Sequence, residues 1–171
     1  YILGVRDYGK SGLLLERNDL GTLTHYTLEI LYNKITQQQL PCIITPEAIK
    51  QIGEDEIHQA LAEAYEQLNH EFASSHDEEN HFKRNEHVFE NHLIVRNVQN
   101  VLRSDLEHAA QGLTMIEMEH PKGHYFDVQL SNGIIRVGGR IDRVDKVCIG
   151  KEEIIRILDY KSGKLNESNL H

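Results

Sequence analysis

A chain of 171 residues is one domain's worth and long enough to bury a core. With 39% hydrophobic residues and no apolar run near about 18 residues, it offers no membrane-spanning segment. Its net charge of −9 argues against a protein that grips nucleic acid through overall charge, and two cysteines are too few for a disulfide framework or a four-thiolate cluster.

The acidity is local. Residues 45–80 hold ten acids against one lysine, which accounts for the whole net −9, whereas residues 134–164 hold eight Lys/Arg against five acids. The acidic run reads as the solvated face of a helical insertion in a single domain spanning residues 1–171. It implies weak affinity of this domain alone for any polyanion. Cys42 and Cys148 sit among apolar residues and read as buried free thiols. With no signal-peptide pattern at the start, a reducing cytoplasm is the expected compartment.

Residues 1–18 form a lead-in segment without an initiator methionine, as in a piece of a larger protein. It contains G-x-x-x-x-G-K-S at residues 4–11, the pattern of a phosphate-binding loop. That loop needs a buried strand before it and a helix opening at its Lys-Ser. Only Tyr1, Ile2 and Leu3 precede it here, and Gly12 follows at once. A nucleotide hydrolase is therefore kept only as a minor alternative.

Asn18 or Asp19 can cap a helix running to about Ile35, with Leu20, Leu23, Leu28, Leu31 and Ile35 on its apolar face. His25 and Glu29 lie one turn apart on it. A polar linker leads to the apolar Cys42, Ile43 and Ile44. Thr45-Pro46-Glu47 then starts a helix reaching Phe72, with a break near Gly53. The histidines at 70, 76, 81, 87 and 92 do not share a helical face and read as surface residues. Residues 88–110 form a third helix ending at Gly112.

Beyond Gly112 the period becomes strand-like. Residues 115–119 and 125–130 read as one hairpin about a Pro121-Lys122-Gly123 turn. His120 and His124, beside that turn, read as incidental, and Glu117 as a solvent-facing carboxylate. Asn132-Gly133 then turns the chain into a long strand over residues 134–144. A last apolar strand carrying Ile154, Ile155, Ile157 and Leu158 ends in Asp159-Tyr160-Lys161. In a strand, alternate residues share a face, so Asp159 and Lys161 point one way and Tyr160 the other. If the two strands pair, Asp142, Asp159 and Lys161 converge. Carboxylates held that close need a cation between them, and Mg²⁺ suits a site with few protein ligands and several waters.

The sequences G-G-R-I-D-R-V-D (138–145) and I-L-D-Y-K-S-G-K (157–164) resemble the nuclease domain of the RecB/AddB type, within the PD-(D/E)XK superfamily. G-T-L-T-H-Y-T-L-E (21–29) resembles its early helical G-x-x-x-H-x-x-x-E motif. The resemblance spans about residues 18 to 164. It implies a restriction-endonuclease-like α/β core: N-terminal helices, then an antiparallel meander, with the C-terminal helix truncated. It also implies His25, Asp142 and Asp159 as ligands of Mg²⁺ (Mn²⁺ as substitute), with the Tyr160 carbonyl as a further oxygen donor. Lys161 would be the catalytic lysine, and Glu29 a group orienting the His25 ring. Arg140, Arg143 and Lys164 are candidates for phosphate contacts. The implied activity is exonuclease cleavage of single-stranded DNA ends in repair or recombination, beside a helicase domain or subunit. No iron–sulfur cluster is expected. A non-catalytic DNA-binding module on the same fold is the alternative.

Overall fold

The computed structural model describes residues 15–75, 82–118, 124–130, 133–139 and 141–160. The phosphate-loop pattern at residues 4–11, His76, His81, His120, Arg140, Lys161 and Lys164 lie outside the described residues.

Helix α1 (Arg17–Thr36) begins two residues earlier than the sequence predicts. Glu16 takes the cap position, and the Asp19 carboxylate accepts the Glu16 N–H at 2.7 Å in a reciprocal capping box. The helix ends where Gln37 and Gln38 turn to positive φ, ahead of Pro41. Strand β1 (Cys42–Ile44) follows. The Thr45 hydroxyl accepts from the Ala48 N–H to start the short α2 (Pro46–Lys50). The expected break at Gly53 is real: its N–H donates to the Glu56 carboxylate at 2.9 Å and opens α3 (Glu54–Ser75). Ile57, Ala60, Leu61, Ala64, Tyr65 and Leu68 recur at three- and four-residue spacing and bury one stripe of α3, which packs on α1. A 3₁₀ turn (Arg84–Glu86) leads to α4 (Val88–Ala109).

Gly112 converts helix to strand. Its φ of +111 is a glycine conformation, and an added Cβ would meet the Cys148 Sγ at 3.2 Å. Four strands then build one antiparallel sheet in the order β1-β2-β5-β6, with β2 (Leu113–Met118), β5 (Arg143–Ile149) and β6 (Glu152–Leu158). Helices followed by an antiparallel four-stranded sheet give the α/β, restriction-endonuclease-like architecture expected.

Two details of the strands differ from expectation. β3 (His124–Leu130) does not pair with β2; it pairs with β4 (Gly133–Gly139) in a separate two-stranded ribbon. The reason is burial. Leu113 and Met115 of β2 and Val147 of β5 are fully buried against the helices, whereas Tyr125, Ile134 and Ile135 on the ribbon are exposed. β2 therefore skips its neighbour in sequence and takes β5, with Leu113 opposite Val147. The expected long strand over 134–144 is accordingly cut in two, and Asp142 lies in the connection between β4 and β5. A third correction concerns His87. It is buried, stacked on Tyr65 and tilted against Phe82, because Phe82 is held against α3 by its backbone hydrogen bonds with Asn69.

Candidate active site

The site forms where α1 crosses the end of the sheet. His25 sits beside the buried Leu23, Thr24, Thr27 and Leu28, so its ring rises from the packed face of the helix with its side chain 23% exposed. Asp142 directly precedes β5, and the pairing of Arg143 with Leu158 brings the end of β6 alongside it. Tyr160 therefore crosses between the helix and Asp142. Its N–H donates to Asp142 Oδ2 at 2.5 Å, and its carbonyl accepts from His25 Nε2 at 2.8 Å. A carbonyl has no proton to give, so Nε2 carries the hydrogen. His25 Nδ1 lies 3.5 Å from Asp142 Oδ1, and the His25 and Tyr160 rings meet edge-on at 5.7 Å. The helical imidazole and the Asp142 carboxylate, 117 positions apart in the sequence, thus both bind the backbone of one residue, Tyr160.

Asp159, exposed, is the residue just before Tyr160. Glu29 lines a cavity of about 590 Å³ between α1 and α3, with Tyr26, Glu63, Glu66, His70 and Glu71. Tyr160 and Asp142 face the two ring nitrogens of His25.

The donor set can be tested against a divalent ion. Among the described residues no three His, Cys, Asp or Glu side chains gather to hold a metal by themselves. The Tyr160 carbonyl supplies the further donor. Its oxygen is 2.8 Å from His25 Nε2, close to the roughly 2.9 Å that separates adjacent ligands of an octahedral ion with bonds of about 2.1 Å. By donor chemistry an imidazole, a carboxylate and a carbonyl suit such an ion, with the carbonyl at one ring nitrogen of His25 and Asp142 at the other.

Behind the site lies a second, closed cluster, and it corrects the expectation for Arg143. That residue is fully buried and cannot meet a phosphate. Its guanidinium engages both oxygens of Asp105 on α4 and Asp145 Oδ2 on β5 at 2.5 Å. It also donates to the Tyr160 hydroxyl at 3.2 Å and lies over the Tyr32 ring at 5.1 Å. Tyr32 donates its own hydroxyl to Asp105, and Arg156 grips Asp145 through two hydrogen bonds. Burial works against the Arg143 charge, but Tyr160, Asp105 and Tyr32 around it more than compensate and raise its pKa. Burial pushes the Tyr160 phenol up to about 12 despite the opposing pull of Arg143, and the Tyr32 phenol is also raised by burial and by Asp105.

Sequence reasoning missed Tyr32, Asp105, Asp145 and Arg156. A signal was present. Val98, Leu102, Asp105 and Ala109 share one buried stripe of α4, and an acid on such a stripe requires a buried cation.

A helix-then-sheet fold with an imidazole, an aspartate ahead of a strand and an adjacent carbonyl at one point defines the class: an α/β protein of restriction-endonuclease-like architecture. The family model of the PD-(D/E)XK nuclease superfamily matches residues 1–171, and the chain belongs to that superfamily. Membership supports a nuclease function, the hydrolysis of phosphodiester bonds, in a superfamily whose members typically use divalent metals. No significant match to the chain was found among curated proteins. No helix among the described residues is long and apolar enough to cross a membrane.

Proposed function

We propose that this chain is a Mg²⁺-dependent deoxyribonuclease, an exonuclease module of the RecB/AddB type that acts on single-stranded DNA ends beside a helicase domain or subunit. The observation that carries the reading is the meeting of His25, Asp142 and the Tyr160 peptide. His25, Asp142, Asp159 and the Tyr160 carbonyl would hold the ion. When bound, it lowers the pKa of a water and polarises a phosphoryl oxygen.

The chain's own groups do the rest. Asp142 uses one oxygen to fix the Tyr160 peptide and turns the other toward His25, which holds donors from a helix and a sheet in one arrangement. Lys161, next in the chain, offsets the negative charge that develops on the phosphoryl oxygens and orients the attacking water. Arg140 and Lys164 flank these residues in sequence and would grip the DNA backbone, contacts that carry no base information. Cleavage without sequence preference follows.

The test is Mn²⁺ calorimetry on wild type and Asp142→Ala, together with cleavage of end-labelled single-stranded DNA. Wild type is expected to bind and Asp142→Ala to lose both binding and cleavage. Lys161→Ala should bind the metal normally and fail to cut. Undiminished Mn²⁺ binding by Asp142→Ala would overturn the ligand assignment, and absence of binding by the wild type would favour a non-catalytic DNA-binding module.

A further inference from the structure

Tyr160 is held at both ends. Its backbone faces the site, with the N–H on Asp142 and the carbonyl on His25. Its hydroxyl reaches the opposite way into the buried cluster and accepts from Arg143 at 3.2 Å. Arg143 has no freedom to follow it. Both oxygens of Asp105, Asp145 at 2.5 Å and the Tyr32 ring at 5.1 Å fix the guanidinium, and its Nε is buried without a hydrogen-bond partner among the described groups. Two carboxylates already neutralise this cation, so charge balance alone does not account for the third contact, to the phenol. Tyr32 follows His25 on α1 by seven residues, two turns along the same face of the helix. The cluster therefore registers the helix bearing the imidazole against the strand bearing the carboxylate.

We propose that Arg143 is a positioning residue of the metal site: it anchors the Tyr160 side chain by its hydroxyl, and so aims the Tyr160 carbonyl at His25 and its N–H at Asp142. The inference rests on the metal-site reading above. A phenol tied to an immobile guanidinium restricts rotation about the Tyr160 side-chain bonds, and with it the tilt of the attached peptide. Groups that orient metal ligands in this way typically change metal affinity by 10–100-fold when removed.

The experiment uses the whole chain and two conservative variants. Tyr160→Phe keeps the ring and the carbonyl and removes only the anchoring oxygen; Arg143→Lys keeps the charge and removes the fork. The readouts are the Mn²⁺ dissociation constant by calorimetry and the melting temperature. Tyr160→Phe is expected to weaken Mn²⁺ binding about tenfold while still melting cooperatively. Arg143→Lys should weaken it similarly, and the double variant no further than the weaker-binding single one, because both changes break the same link. Wild-type affinity in Tyr160→Phe, or effects that add in the double variant, would overturn the proposal. If Arg143→Lys does not fold, Tyr160→Phe alone decides. A wild type that binds no Mn²⁺ would sink the metal-site reading and this inference with it, whereas a binding wild type with an unaffected Tyr160→Phe sinks the positioning role only.

Discussion

Asp142 and Arg143 are consecutive residues of one motif, yet they belong to opposite regimes. Asp142 opens onto a partly exposed site, where its oxygens meet a peptide N–H and an imidazole. Arg143 turns into the core, where it is fully buried among two carboxylates and two phenols. The first cluster keeps donors near solvent, ready for a ligand. The second satisfies its charges internally and has nothing to offer one. The entry of the chain into β5 thus sorts adjacent charged residues into chemistry on one side and support on the other.

The comparison predicts that damage to the closed cluster appears chiefly as lost stability, with metal binding weakened through Tyr160 and not abolished, and damage to the open one as lost metal. The largest stability effect is expected for Arg143→Ala, which leaves Asp105 and Asp145 buried with only Arg156 and Tyr32 beside them. A loss of about 3–5 kcal/mol should appear in urea unfolding. Tyr32→Phe removes one hydrogen bond to the Asp105 carboxylate and should cost about 1.5–3 kcal/mol, again without abolishing Mn²⁺ binding. Asp142→Ala reverses the pattern: about 1 kcal/mol of stability lost with the Tyr160 N–H contact, but Mn²⁺ binding abolished in calorimetry. Arg136→Ala, on the exposed ribbon ion pair with Asp127, should leave the melting temperature unchanged. A stability loss from Asp142→Ala as large as that from Arg143→Ala would erase the distinction between the two clusters.

Much of this was legible in the sequence where a local rule governed. The three long helices and the break at Gly53 follow from caps, glycine and apolar spacing. The meeting of His25 with Asp142 and Tyr160 was expected from motif resemblance, since no local rule joins residues so far apart. Strand pairing failed where proximity in sequence competed with burial: β3 lies next to β2 in the chain, but only β5 offered Val147 to cover Leu113. Arg143 was misread because G-R-I-D-R-V-D shows its charges without showing which face each one takes. His87 was misread because surface position is the default for a histidine, and its aromatic enclosure by Tyr65 and Phe82 is a tertiary fact.

The hydrogen bond between His25 and Tyr160 spans 135 residues, and this has a consequence for how the protein is made. The helices can pack as the ribosome delivers them, but the meeting of His25, Asp142 and Tyr160 cannot exist until β6 has docked and carried Tyr160 over α1. A chain still lacking β6 therefore carries the imidazole without its partners from the sheet side of the site.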